Sequence, residues 1–238
     1  MTVLRRSLLT LFLASGAYLL LLGYPDPFFA HRLQHAGITL HSTQPIPEAM
    51  KATLERARAR LDRSPLAAMT RDVDVYICHS PWLFSLFARQ NYRVGGIADW
   101  LVGQHVFLRE SDLHNDRLIS PGGQPVAADR PLSYFIAHEV MHIAHARAVG
   151  RARYAHMPQW VDDGYADYVA RDIDLGAALQ KMKDGARELE PARSGLYVRY
   201  ALMVAYLLDK QRVPLSQLFA SPPARDDVER SLLAMTEW

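Results

Sequence analysis

Two histidines and a glutamate stand in the order His-Glu-Val-Met-His at positions 138–142. Histidines four residues apart in a helix project from the same face, so the imidazoles of His138 and His142 can bind one metal ion. Glu139 follows the first histidine, where its carboxylate can accept a proton from a metal-bound water molecule. The apolar residues around the motif predict a buried helix rather than a solvent-exposed one. This spacing therefore predicts a site for Zn²⁺ and a hydrolytic chemistry.

A catalytic zinc ion also needs a third protein ligand and an open position for water. One known arrangement places a histidine six residues after the second histidine, but that position holds Ala148. Another takes a carboxylate from the following helix, where Asp163 stands. Its neighbour Asp162 points about 100° away around the helix, so only one of the two carboxylates can readily face the metal. His145, which shares the helical face of His142, is an alternative ligand.

The remaining composition excludes several classes of protein. The chain has 238 residues, half of them apolar and 22% charged, so it can form an apolar core and intrinsic disorder is not expected. Its single cysteine, Cys78, excludes an intramolecular disulfide and a thiolate-rich metal site, and we expect it to be a core residue. A net charge of +2 predicts no nucleic-acid partner. A metal would therefore be held by histidines and carboxylates.

Local signals define the elements that must position these residues. Pro131 and Gly150 bracket a helix around the motif, because proline favours the first turn of a helix and glycine the residue after the last turn. Further helices are predicted over 46–61, 158–171 and 194–210, and strands over 38–41, 73–78 and 104–109. Strands that precede a run of helices indicate an α+β fold, with a small mixed or antiparallel sheet followed by a mainly helical part.

The first segment predicts a membrane helix. Residues 7–25 carry no charge and follow Arg5 and Arg6. This stretch is long enough to cross a membrane, and the preceding arginines orient the N-terminus toward the cytoplasm. A cleaved signal peptide is the alternative, but the bulky, proline-containing residues after the apolar run favour an uncleaved anchor. The predicted organisation is an anchor or signal over 1–24, a connector over 25–36 and a globular domain over 37–238.

The segment from Pro158 to Tyr168 reads Pro-Gln-Trp-Val-Asp-Asp-Gly-Tyr-Ala-Asp-Tyr. Together with the motif at 138–142, it resembles the gluzincins, the thermolysin-like clan of zinc peptidases, and more narrowly the small bacterial peptidase MA-like proteins. The resemblance covers mainly residues 130–210 and implies that the helical part is a zincin-type subdomain. Those proteins have a glutamate where this chain has Asp163. Because aspartate is one methylene shorter, its helix would have to approach the metal by about 1 Å.

The resemblance implies further roles. Asp167, one turn after Asp163, would orient a ligand histidine. Tyr200, on a downstream helix, would donate a hydrogen bond to the developing oxyanion, although Tyr197 competes for this role and packing in the core is the alternative for Tyr200. The strand over 104–109 would form the sheet edge that pairs with an extended substrate.

The expected function is that of a zinc peptidase anchored in a bacterial inner membrane, with its domain on the periplasmic or extracellular side. Zn²⁺ bound by His138, His142 and Asp163 would activate water, Glu139 would act as the general base, and the substrate would be a peptide or protein. One alternative is a catalytically degenerate zincin-fold protein that serves as a binding or scaffold module of the cell envelope. In another, no metal binds and the motif helix is an ordinary core helix.

Overall fold

In the computed structural model of the chain, which describes residues 2–89, 91, 93–189 and 196–238, an apolar helix precedes a mixed α/β fold. This helix, α1 (Thr2–Gly23), is long and apolar enough from Arg5 to Gly23 to cross a membrane. A signal sequence would pass the same test. Only 6% of that stretch is buried by the rest of the molecule, unlike the core helix of a soluble protein.

Five strands form one mixed sheet in the order β1-β2-β3-β5-β4. They are β1 (His31–His35), β2 (Ile38–Ser42), β3 (Val73–Ile77), β4 (Gly96–Asp99) and β5 (His105–Leu108). The three central strands are parallel, and the two edge strands are antiparallel to their neighbours. The predicted strands β2, β3 and β5 are present to within one residue at each end. The expectation that 104–109 forms the sheet edge is wrong, because β5 pairs with both β3 and β4.

The segment over 25–36, expected to be a connector, belongs in part to the sheet. It contains a 3₁₀ turn at Asp26–Phe28 and then β1. A two-residue turn at Ala36 and Gly37 joins β1 to β2, and both residues have positive φ angles, 52° and 73°. Two-residue turns of this kind match the twist of an antiparallel hairpin. Alanine is rare at such a position, which is why the hairpin gave no sequence signal.

Helices cover the sheet on both faces and form most of the second half of the chain. They are α2 (Met50–Leu61), α3 (Pro81–Phe87), α4 (Leu132–Val149), α5 (Arg151–Tyr154), α6 (Gln159–Ala170), α7 (Leu175–Lys183), α8 (Leu196–Ala205), α9 (Leu215–Ala220) and α10 (Arg225–Leu233). A short two-stranded sheet, β6 (Ser111–Asp112) and β7 (Arg117–Leu118), precedes α4. The predicted helix over 194–210 corresponds to α8 and a π-helical turn at Tyr206–Lys210, and its first two residues lie outside the described residues.

Alternation along β3 divides the apolar residues between two cores. Val75 and Ile77 enter the main core, which lies between the sheet and α2, α4, α6 and α8. Tyr76 and Cys78 enter a second apolar cluster on the opposite face, where α3 and the end of α1 pack. Cys78 is fully buried, as the sequence predicts, and burial raises the pKa of its thiol. It is therefore a core residue rather than a nucleophile.

Candidate metal centre

Helix α4 carries the two motif histidines on a buried surface. The segment between Pro131 and Gly150 contains neither proline nor glycine, and these two residues flank the helix directly. His138 and His142 are 5% and 8% exposed, and their Nε2 atoms lie 3.3 Å apart. The predicted helix thus brings both imidazoles to one place.

Asp163 of α6 completes a group of three ligand atoms. Its Oδ1 lies 3.8 Å from Nε2 of His138 and 3.6 Å from Nε2 of His142. A point equidistant from the three atoms lies about 2.1 Å from each, which matches the lengths of bonds from zinc to imidazole nitrogen and carboxylate oxygen. For tetrahedral coordination, the carboxylate of Asp163 would have to lie a few tenths of an ångström closer to the two imidazoles. These three side chains could therefore hold a metal ion.

Asp167 holds His138 from the side opposite to Asp163. Its Oδ1 accepts hydrogen bonds from Nδ1 of His138 at 3.1 Å and from the Tyr134 hydroxyl at 2.5 Å, and its Oδ2 accepts one from Nε of Arg171 at 2.9 Å. Burial alone would raise the pKa of Asp167, but the contacts with His138, Arg171 and Tyr134 lower it. With its proton on Nδ1, His138 has a free lone pair on Nε2 for a metal.

A second buried network, which sequence reasoning missed, surrounds His142. Oδ2 of Asp162 lies 3.0 Å from Nδ1 of His142, in a close ion-pair contact that lacks the alignment of a hydrogen bond. The same carboxylate accepts a hydrogen bond from the Tyr154 hydroxyl at 2.7 Å and lies 2.5 Å from Nδ1 of His145. His142, His145 and Asp162 form a second group that could hold a metal ion. The sequence signal for this group was the spacing of His142 and His145, three positions apart on α4, together with the adjacent aspartates Asp162 and Asp163 on α6.

Negative charge is concentrated at this site. Glu139, Asp163 and Asp167 are buried, and the side chain of Asp162 is only 18% exposed. Burial is the main cause of a raised pKa at Glu139. The pKa of His142 is raised despite the opposing effect of burial, because the carboxylates of Asp162, Glu139 and Asp163 surround it. The site therefore favours a positive charge, either a proton on His142 or a divalent cation in its place.

An open cleft of about 550 Å³ gives access to these side chains. The cleft lies between α4 and the edge strand β4, and Glu139 of α4 lines it. The backbone of β4 lies very close to Glu139, since a Cβ on Gly96 would be 2.8 Å from Cγ of Glu139. Tyr197 of α8 also lines the cleft, with its ring centre 5.7 Å from that of His138. The three candidate metal ligands, the acidic side chain of Glu139 and a sheet edge thus border one space.

The two tyrosines considered from the sequence lie in different places. Tyr200 is 7% exposed and does not line the cleft, and its hydroxyl contacts the guanidinium of Arg225 in α10. The structure brings together His138, Glu139, His142, Asp163 and Asp167, as the sequence predicts, and places Tyr197 rather than Tyr200 beside them.

Two imidazole nitrogens and one carboxylate oxygen suit Zn²⁺, and they also suit other divalent transition metals. Comparisons with known proteins provide no family for this chain: no protein-family model matches it, and no curated protein matches it in sequence.

Proposed function

We propose that this protein is a zinc-dependent peptidase of the gluzincin type, with the metal bound by His138, His142 and Asp163. The observation that carries the proposal is the triangle of three ligand atoms beside Glu139, within an open cleft. An ordinary core helix would gain nothing from several nearby carboxylates, because buried charges without a compensating cation are costly. The donor set and the resemblance to gluzincins support Zn²⁺ as the ion.

In this proposal, different groups in the cleft carry out different parts of peptide hydrolysis. A bound zinc ion would polarise the scissile carbonyl group and lower the pKa of water. Glu139, whose pKa burial raises, accepts a proton from the attacking water and passes it to the leaving amine. Tyr197 stands beside His138, where its hydroxyl can donate a hydrogen bond to the oxyanion. The outer edge of β4 aligns an extended peptide by backbone pairing.

The same proposal places the domain outside a bacterial inner membrane, on the periplasmic or extracellular side. Arg5 and Arg6 precede the apolar stretch of α1, and this order orients the N-terminus toward the cytoplasm. Leu22, near the end of α1, is 3% exposed within the second apolar cluster. Because this residue is part of a core, its burial supports a retained anchor over a cleaved signal. The substrate would be a peptide or protein on that side of the membrane.

The Glu139→Gln variant tests the mechanism. Glutamine has the same size but cannot accept the proton, so we expect hydrolysis of a mixture of quenched fluorescent peptides to fall about 10²- to 10⁴-fold. Atomic emission on the same preparations should show an unchanged zinc content. Glu48→Gln, the same change at a side chain that is 82% exposed, is the matched control.

Hydrolysis by the Glu139→Gln protein at the wild-type rate would show that another group is the base. The metal centre itself is tested by His142→Ala and Asp163→Asn, which should both lose the ion. A folded wild-type protein without metal, after purification free of chelators and supplementation with zinc, would refute the proposal.

A binding or scaffold protein with the same centre is the second candidate function. The distances from Asp163 to the two histidines, 3.6 and 3.8 Å, exceed the spacing of about 3.3 Å between ligands of a tetrahedral zinc ion. A short carboxylate that holds the ion loosely would favour binding over catalysis. A folded, zinc-loaded wild-type protein that cleaves none of the peptides would support this candidate.

A further inference from the structure

The last turns of α1 have two different sides. On one side, Leu22 is buried in the second apolar cluster, and the Tyr18 hydroxyl donates a hydrogen bond to the carbonyl oxygen of Leu86 in α3 at 2.8 Å. On the other side, Leu19 and Leu20 are 52% and 72% exposed. The same stretch of helix thus contacts the globular domain and presents leucines away from it.

Helix α1 has no surplus length for a membrane. Its candidate membrane span of 19 residues, Arg5–Gly23, is about 28 Å long even with the two arginines included, against about 30 Å for the hydrocarbon layer of a bilayer. If α1 crosses the membrane, Leu19 and Leu20 must therefore lie near the outer boundary of the hydrocarbon. The parts of the domain that contact Tyr18 and Leu22 lie at the same depth, because these residues belong to the same turns.

Helix α3 is held at this depth and has the side chains that suit it. Trp82 at the start of α3 is 65% exposed. An open groove between α1 and α3 is lined by Tyr18, Trp82, Ser85, Leu86 and Arg89. Tryptophan favours the boundary between acyl chains and headgroups, and arginine favours lipid phosphates. The side chain of Arg89 pairs with Asp99 at 3.1 Å and is still 47% exposed, so part of it remains accessible to a phosphate.

We propose that this groove and the exposed side of α3 form a second membrane-contact surface, occupied by phospholipids of the bilayer that anchors α1. The proposal rests on the retention of α1 in the membrane, which is part of the proposed function, and is independent of the metal centre. In this arrangement the indole of Trp82 lies at the headgroup boundary, and Arg89 pairs with a lipid phosphate. A large exposed indole is thereby removed from water.

This surface also positions the candidate cleft. Arg89 lines the cleft as well as the groove. The loop after β4 touches the end of α1, since a Cβ on Gly103 would lie 3.0 Å from the carbonyl oxygen of Leu22. The cleft therefore opens next to the bilayer, and the substrates that suit it are polypeptide segments close to the membrane surface.

Tryptophan fluorescence tests the surface in the full chain. The protein is reconstituted into vesicles of equal parts phosphatidylcholine and phosphatidylglycerol, with or without bromine on the acyl chains near the headgroups. We expect bromine to quench the wild-type emission and Trp82→Phe to lose most of that quenching. Trp160→Phe should retain it, because Trp160 is 5% exposed and lies in the main core, on the face of the sheet opposite to α1 and α3. Circular dichroism of both variants checks that they are folded.

Equal quenching of the wild type and the Trp82→Phe protein would overturn the proposal, as would an unquenched wild type that remains in the vesicles. Extraction with alkaline carbonate reports separately on the anchor. Release of the wild-type protein by carbonate would refute the anchor and this surface together. If the wild-type protein shows quenching that depends on Trp82 but contains no metal, the quenching supports the surface and the missing metal refutes the metal centre.

Discussion

At the scale of single residues, Asp162 is placed to orient a candidate metal ligand through the ring nitrogen that faces away from the proposed ion. It contacts Nδ1 of His142, while its neighbour Asp163 faces Nε2 of the same ring. The hydroxyl of Tyr154 and the imidazole of His145 hold this carboxylate in place. A carboxylate in this position fixes the ring and makes its other nitrogen a better ligand.

Asp162→Asn should weaken metal binding without unfolding the protein. The amide keeps the shape of the side chain but loses the negative charge, so we expect about 10- to 100-fold lower zinc affinity in competition with a chromogenic chelator. Asp226→Asn, the same change at a side chain that is 76% exposed, should keep the wild-type affinity. Equal affinities of the wild type and both variants would exclude an orienting role for Asp162.

Asp74, which does not line the cleft, should make the stability of the protein depend on pH in the acidic range. Nε2 of His41 lies 2.8 Å from Oδ1 of Asp74, and this hydrogen bond is the main cause of a lowered pKa at Asp74. A carboxyl with a lowered pKa in the folded state stabilises the protein above its unfolded pKa of about 4 and loses that contribution as the pH falls further.

We therefore expect the free energy of unfolding of the wild type in urea to fall more steeply below about pH 4 than that of Asp74→Asn. The two proteins should show parallel pH dependence well above this range, where the carboxyl of Asp74 stays ionised in both the folded and the unfolded chain. Parallel curves over the whole range would mean that the contact with His41 does not affect stability.

At the scale of elements, the approach of α6 to α8 depends on Gly164. A Cβ at this position would lie 2.7 Å from the carbonyl oxygen of Tyr200 and 2.9 Å from Cγ2 of Val204. Only a residue without a side chain allows this spacing, and Gly164 directly follows Asp163. The helix that carries Asp163, the third candidate ligand, is thus positioned by its contact with α8.

Gly164→Ala should lower the free energy of unfolding by about 1–3 kcal/mol, because the added methyl group meets backbone atoms that cannot move aside. It should also reduce zinc affinity by displacing Asp163. Gly176→Ala in α7 is the matched control: its Cβ would have contacts of 3.6 and 3.7 Å, so we expect a gain of up to about 1 kcal/mol. Thermal unfolding in detergent compares them, and equal midpoints for Gly164→Ala and the wild type would contradict the steric argument.

The elements that the sequence predicts well are those with local signals. Pro131 and Gly150 bound α4 to within one residue, and β2, β3 and β5 follow from runs of alternating apolar residues. The edge strand β4 could not be identified, because it is four residues long and its edge position depends on pairing with a later strand.

The candidate site shows the same division. Spacing along α4 predicts that His138 and His142 share one face, because helical geometry is periodic, whereas Asp163 was expected beside them from the resemblance to gluzincins. Spacing could not decide between Tyr197 and Tyr200, which lie three residues apart on α8, because the answer depends on how α8 packs. The network around Asp162 was missed because Tyr154 joins it from a separate short helix.

At the scale of the whole molecule, α1 belongs both to the proposed membrane span and to the globular core. Leu20 and Leu22 lie in the same turn, yet Leu20 is 72% exposed and Leu22 is 3% exposed. We expect Leu22→Ala to destabilise the domain by about 2–5 kcal/mol, as in other buried positions, and Leu20→Ala to leave its stability unchanged. Near-ultraviolet circular dichroism during thermal unfolding in detergent measures both. Equal midpoints would show that α1 and the domain are independent.

The burial of Leu22 leaves no flexible tether between the proposed span and the domain, and the hydrogen bond from Tyr18 to Leu86 adds a second attachment. An enzyme on a long tether samples every bond within reach, whereas an active site fixed in this way would work at one height above the lipid. Selection would then depend on how far a target bond protrudes from the bilayer. A small shift of a membrane-bound substrate along the membrane normal could therefore bring its target bond to the active site or withdraw it, with no change in the sequence around that bond.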